Sequence, residues 1–195
     1  MFYSRTRYLT KVGILSAIGV ILMFFEVPVP MLPSFLKLDA SELPAILGAF
    51  VLGPWAGVFI ELIKNLLHLS NTHTMGIGEM ANFFVGISFV APAGYFYRKH
   101  NSHSGAVLAL AAATITMTLS ASILNYFILL PLYQTVLHFP LDRIITLGTA
   151  ANPHIIDLAS FITLAIVPFN LLKGIIISIF TLLLYKNVAP ILFDE

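Results

Sequence analysis

The chain has 195 residues, of which 58% are hydrophobic and only 10% are charged, and its mean hydropathy is +0.94. Because a water-soluble domain carries about 25% charged residues, this composition excludes a soluble globule and indicates a polytopic membrane protein. The net charge of +1 does not suggest a nucleic-acid partner, and the lack of cysteine excludes disulfides and thiolate metal sites.

Prolines, glycines and polar residues divide the chain into six apolar segments. These cover about residues 12–25, 41–52, 55–69, 77–97, 105–133 and 155–185. A spanning helix needs about 20 residues, so the second and third segments are short for full spans. We expect a stiff proline-rich linker over residues 26–38 and the longest loop over residues 134–153. The prediction is an all-α, compact bundle of six transmembrane helices, forming a single integral-membrane domain over residues 1–195.

Lysine and arginine placement predicts the orientation of this bundle. Basic residues precede the first segment and follow the fourth and sixth, at Arg5, Arg7, Lys11, Arg98, Lys99 and Lys186. With six spans all of them lie on one side, which the positive-inside rule makes cytoplasmic. We therefore expect both termini in the cytoplasm and a multi-pass protein of the plasma membrane.

Polar side chains within the last two apolar segments are the first candidates for a site. Asn170 and Lys173 are three residues apart, hence on one helix face, and Pro168 frees a backbone carbonyl nearby. A charged group at membrane depth costs at least about 2.5 kcal/mol, so Lys173 needs a partner or a function unless it snorkels to the interface. The Asn125 amide suits a planar imide edge or, alternatively, an interhelical hydrogen bond.

Further polar clusters lie near the predicted non-cytoplasmic side. Glu79 and Asn82 share a face at the start of the fourth segment, where Glu79 could complement the helix dipole. The simplest account of Glu61 and Lys64 is an i,i+3 salt bridge. Asp39 could cap the second helix, or the stiff linker before it could hold it as a lid over a pocket.

Small residues in the first segment form a different kind of candidate. Gly13 and Ala17 are four residues apart, and small residues at this spacing let helices approach closely. They indicate either internal packing or a docking face for another membrane subunit.

The remaining motifs exclude several chemistries. The histidines do not form an H-E-x-x-H pattern, so we expect no metal site, and no catalytic constellation is evident. No G-x-x-x-x-G-K-[ST] motif occurs, so the energy for uphill transport would have to come from a partner or an ion gradient.

Taken together, these clusters resemble the riboflavin-binding substrate subunits (RibU-type S components) of energy-coupling factor transporters. The matching stretches occur in order over most of the chain. They are Phe35-Leu36-Lys37-Leu38-Asp39, Ser41-Glu42-Leu43-Pro44, Gly53-Pro54-x-x-Gly57, Lys64-Asn65, Ala81-Asn82-Phe83, Asn125-Tyr126-Phe127-x-Leu129-Leu130-Pro131-x-Tyr133 and Pro168-Phe169-Asn170-x-x-Lys173-Gly174.

The resemblance implies a ligand and the residues that contact it. One riboflavin would bind near the extracellular side, with Asn125, Asn170 and Lys173 on the polar edge of its isoalloxazine ring. The loop around Asp39 would close over the ligand, and Asn82 would line the pocket. From the chemistry of flavin, aromatic side chains are expected on its faces. The candidates are Phe83, Phe84, Tyr126 and Phe127.

The resemblance also implies partners. A transmembrane coupling protein and two cytoplasmic ATPases would supply the energy, and Gly13 and Ala17 would face the coupling protein. The chain would then be no enzyme and would hold no cofactor, riboflavin being the transported ligand and FMN a possible one.

Two other functions stay open at this point. A stand-alone proton-coupled carrier would use Glu61, Glu79 or Asp157 as the titrating acid, although these acids lie near predicted helix ends. An intramembrane enzyme is the other alternative, without a His/Asp/Ser or metal constellation to support it.

Overall fold

The computed structural model describes residues 5–29 and 36–193, and the side chains up to residue 185. Pro30, Pro33 and Phe35, which belong to the predicted linker and to the first matching stretch, lie outside the described residues.

Helices dominate the described part of the chain. The first half contains α1 (Arg5–Met23), β1 (Val27–Pro28), β2 (Lys37–Leu38), α2 (Glu42–Leu52), α3 (Pro54–His68) and α4 (Ile77–Lys99). The second half contains α5 (His103–Leu124), α6 (Leu130–Val136), α7 (Leu141–Ala151), α8 (Leu158–Phe161) and α9 (Val167–Phe193). The two short strands pair antiparallel, with Val27 opposite Leu38, so they join the described ends of the proline-rich linker.

The predicted apolar segments all form helices. Among the described residues, four helical stretches are long and apolar enough to cross a membrane: Arg5–Met23, Ile77–Lys99, His103–Val136 and Leu158–Tyr185. The shorter α2 and α3 meet at Gly53, whose φ of 105° is a conformation that favours glycine, and Pro54 then starts α3. The prediction of an all-α, multi-pass membrane bundle is confirmed.

Two of the long helices contain a π-helical turn that ends two residues before a proline. These turns, Asn125–Leu129 and Ile162–Ile166, join α5 to α6 and α8 to α9. Proline has no N–H to donate and its ring clashes with the carbonyl four residues earlier. A π turn rearranges the backbone hydrogen bonds there, so the chain continues as a helix through Pro131 and Pro168.

The predicted long loop over residues 134–153 is wrong. α6 continues to Val136, and α7 occupies most of the remainder. The buried residues of α7, Ile144 and Gly148, are four apart and therefore on one face. An added Cβ at Gly148 would lie 2.8 Å from Phe161 Cδ2, so α7 packs closely on the bundle. The sequence contained one signal for α7: a few apolar residues of this stretch recur at helical spacing.

An aromatic cluster marks one end of the bundle. The Phe50 and Tyr97 rings stack with centroids 4.1 Å apart, and Tyr185 contacts both rings edge-on. Tyr8 packs against the same core. The beginning of α1, the end of α4 and the Tyr185 turn of α9 therefore lie together, next to Arg98. This arrangement agrees with two cytoplasmic termini.

Candidate ligand-binding cavity

A cavity of about 470 Å³ lies in the half of the bundle away from the aromatic cluster. This volume falls within the range of about 300–1,000 Å³ typical of small-molecule sites. Its larger apolar and aromatic lining residues are Leu36, Val85, Leu129, Leu130, Tyr133, Leu137, Phe139, Ile144, Ile166 and Phe169. Its polar lining residues are Lys37, His73, Thr74, Asn82, Asn125, Asn170 and Lys173. Among the described residues, no aspartate or glutamate lines it.

Asn125 and Asn170 contribute matching amides to the cavity wall. Asn125 Nδ2 donates to the Ala121 carbonyl oxygen at 2.8 Å, and Asn170 Nδ2 donates to the Ile166 carbonyl oxygen at 2.9 Å. Each amide uses one N–H to bond to the preceding helical turn. A second N–H and the amide oxygen then remain on each side chain, so each can donate to and accept from a planar ligand edge.

Lys173 is buried and lies on the same wall. Its Nζ is 2.9 Å from Glu42 Oε1 and 3.4 Å from Asp39 Oδ2. The side chain turns inward onto these carboxylates, so the alternative of a lysine snorkelling to the membrane surface is wrong. An ammonium with three donors can satisfy both acids and still face the cavity.

A second buried lysine extends this group of charges away from the cavity. Lys64 Nζ is 3.0 Å from Glu61 Oε1 and 3.4 Å from Glu42 Oε1, and it donates to Ser41 Oγ at 2.7 Å. The predicted salt bridge between Glu61 and Lys64 is therefore present. Together these ion pairs tie α2, α3, α9 and the chain before α2 into one unit.

Asp39 stands behind the cavity wall. Its Oδ1 accepts from the Ser41 backbone N–H at 2.8 Å, and Ser41 itself occupies the N-cap position of α2, so Asp39 is not the cap. Burial by itself raises the pKa of the Asp39 carboxyl. Lys173, Lys64 and the hydrogen bonds from Ser41 outweigh this effect and lower the pKa to about 2. Asp39 is thus ionised. It does not line the cavity itself but forms an ion pair with Lys173, which does.

Asn82 and Glu79 lie one turn apart on α4 but have different surroundings. Asn82 lines the cavity, and its buried Oδ1 accepts no hydrogen bond from the described residues. Glu79 is drawn away by His68 Nδ1, 3.0 Å from its Oε1, and by Thr72 Oγ1, which donates to its Oε2 at 2.8 Å. Asn82 is therefore available to a ligand donor, whereas Glu79 holds the loop before α4.

The cavity has an aromatic lining, but the residues expected to form it are the wrong ones. Phe84, Tyr126 and Phe127 are 40–69% exposed on the outside of the bundle, and Phe83 does not line the cavity either. Residues adjacent in sequence on a helix do not share a face, so the neighbours of Asn82 and Asn125 point elsewhere. The aromatic side chains of the cavity come from separate elements instead: Tyr133, Phe139 and Phe169.

Gly13 and Ala17 lie on the outer surface of α1. The buried face of this helix is formed by Val12, Leu15 and Ser16 among others, and an added Cβ at Gly13 meets no described atom within 4 Å. The alternative of internal packing through Gly13 and Ala17 is therefore wrong. Gly13 and Ala17 therefore form a surface of small residues that faces away from the bundle.

Comparison with known proteins gives the family. The family described as ECF transporter, substrate-specific component, matches residues 7–185. The chain is 40% identical over 188 residues to the riboflavin transporter RibU of Staphylococcus aureus, covering 96% of this chain and 93% of that protein. It is 35% identical to the riboflavin transporter FmnP of Bacillus subtilis, covering 95% and 94%.

A solved structure supports the same conclusion. The S component of a bacterial ECF transporter superposes with a TM-score of 0.77 at 36% identity, covering 98% of this chain and all of that one. The resemblance inferred from the sequence motifs is confirmed. The chain belongs to the family of substrate-specific components of ECF transporters.

Proposed function

We propose that this chain is the riboflavin-binding subunit of an ECF-type vitamin transporter and that its cavity holds the vitamin. Two relatives, at 40% and 35% identity over nearly the full chain, are named riboflavin transporters. The observation that carries the assignment of the site is the convergence of Asn125, Asn170 and Lys173 on the wall of one largely apolar cavity.

The chemistry of this wall suits the flavin ring. Its pyrimidine edge presents an imide N–H between two carbonyl oxygens, and the rest of the ring is planar and mainly apolar. The amide oxygens of Asn125 and Asn170 offer acceptors for the imide N–H, while their N–H groups and the Lys173 ammonium offer donors for the carbonyls. Asn82 Oδ1 offers a further acceptor, for which the hydroxylated tail of riboflavin has donors. Because FMN has the same ring, we propose that it occupies the same cavity.

The position of the cavity supports capture from outside the cell. It lies away from the end of the bundle that contains Arg98 and the described parts of α1 and α9 nearest the termini, which is the cytoplasmic end by the positive-inside rule. We propose that Asp39, directly after β2, belongs to the segment that closes over bound riboflavin. The vitamin passes through chemically unchanged, so the chain acts as a carrier subunit rather than an enzyme and needs no cofactor.

Absorption and fluorescence spectroscopy of the detergent-purified chain tests the ligand. We expect the preparation to be yellow or to quench added riboflavin saturably, with thiamine as a control vitamin that has no isoalloxazine ring and should not compete. Folded protein without bound flavin and without quenching would contradict the proposal. Riboflavin accumulation in proteoliposomes by this chain alone, abolished by a protonophore, would instead establish a stand-alone carrier.

For energy, we propose a transmembrane coupling protein with two cytoplasmic ATPases, because the sequence has no Walker A motif. The outward surface at Gly13 and Ala17 is the proposed contact with the coupling protein. Gly13→Leu should leave riboflavin affinity unchanged, since no described atom lies within 4 Å of an added Cβ, yet reduce co-purification with the coupling proteins. Ile14→Leu, a change of equal volume at the neighbouring exposed position of α1, is the matched control. Full complex formation by Gly13→Leu would exclude this surface.

A further inference from the structure

The position of the Lys173 ammonium is set by an acid that does not itself line the cavity. Lysine has a long, flexible stem, so its charged end goes where a partner holds it. The shorter of its two ion-pair distances is the 2.9 Å to Glu42 Oε1, compared with 3.4 Å to Asp39 Oδ2. Glu42 is only 2% exposed, whereas Lys173 forms part of the cavity wall.

Glu42 is itself held from the other side. The same oxygen, Oε1, lies 3.4 Å from Lys64 Nζ, and Lys64 is fixed by Glu61 and by Ser41 Oγ. Glu42 therefore bridges two buried ammonium groups, only one of which can reach a ligand. As the first residue of α2, it is also anchored in the backbone of a buried helix.

We propose that Glu42 is a positioning residue for riboflavin binding, holding the Lys173 ammonium against the cavity wall in the place where it donates to a flavin carbonyl. This inference rests on the proposed function. Ordering a free lysine side chain costs conformational entropy, and the ion pair with Glu42 orders the Lys173 side chain before the ligand binds.

Two variants of Glu42 test separately the charge of its carboxylate and the length of its side chain. Glu42→Gln keeps the shape but removes the charge, and Glu42→Asp keeps the charge but withdraws it from Lys173 by one methylene. We expect each to weaken riboflavin binding about tenfold. In infrared difference spectra, the carbonyl bands of bound riboflavin should shift toward those of the Lys173→Met complex. Adding Glu42→Gln to Lys173→Met should cause no further loss of affinity.

The matched control is Glu61→Gln, which removes a buried acid from Lys64 but not from Lys173. It should lower the melting temperature while weakening riboflavin binding much less than Glu42→Gln does and leaving the carbonyl bands close to those of the wild type. If Glu42→Gln proves too unstable to purify, Glu42→Asp carries the test alone. Wild-type affinity and wild-type carbonyl bands in the Glu42 variants, together with weak binding by Lys173→Met, would overturn the role of Glu42 only. Absence of riboflavin binding by the wild-type chain would overturn the proposed function itself.

Discussion

Replacing Lys173 with methionine should weaken riboflavin binding by about 10- to 150-fold. Methionine has an unbranched stem of similar length, so the change removes the ammonium and keeps most of the apolar packing. A hydrogen bond to a charged group contributes about 1.5–3 kcal/mol, and every 1.4 kcal/mol is about tenfold in affinity. The prediction follows from the position of Lys173 on the cavity wall, beside Asn170.

The same substitution also lowers stability, because breaking a buried ion pair by removing one partner costs about 3–5 kcal/mol. Lys173→Met leaves Asp39 and Glu42 without their shared cation, although Lys64 still contacts Glu42. Lys64→Met is therefore the matched control. It removes the same charge from the same network, but Lys64 does not line the cavity. We expect a comparable fall in melting temperature but a much smaller loss of riboflavin affinity, because Glu42 stays paired with Lys173.

Fluorescence titration of the purified variants, well below both melting temperatures, distinguishes these effects. Equal losses of affinity in Lys173→Met and Lys64→Met would mean that binding merely follows stability. Unchanged affinity in Lys173→Met would refute the assignment of this wall to the flavin edge.

Two further predictions concern the amides and Asp39. Asn125→Ala and Asn170→Ala should each weaken riboflavin binding about 2- to 12-fold, since a neutral hydrogen bond contributes about 0.5–1.5 kcal/mol. Equilibrium titration measures the affinity of each variant. Wild-type affinity in both variants would contradict the prediction. The matched control is Thr181→Val, at a buried position of α9 that does not line the cavity; the Thr181 hydroxyl donates to the Ile177 carbonyl oxygen. For Asp39, the pKa is lowered from 3.8 to about 2, so its ionised form stabilises the fold above pH 4 and this contribution is lost as the pH falls toward 2. Melting curves should show a steeper loss of stability over this range for the wild type than for Asp39→Asn, and parallel losses would refute the coupling of Asp39 to Lys173.

Local chemistry explains what could be predicted for the cavity. Asn170 and Lys173 share a face because they are three residues apart, and both line the cavity as that spacing indicates. The assignments of Asp39 and Asn82 rested on the resemblance, since neither spacing nor composition places them near the others. The structure brings Asn82 to the cavity and Asp39 to Lys173.

The sequence by itself determined the membrane class and the apolar helical segments, because hydropathy and prolines act over short stretches of chain. It also determined the polar faces within single helices. Only the tertiary structure decided which faces meet: that Glu42 bridges Lys64 and Lys173, that Tyr133, Phe139 and Phe169 supply the aromatic lining, and that α7 packs on the bundle. These contacts join segments far apart in the chain, and their partners are chosen by packing and by the need to pair buried charges, which no local pattern specifies.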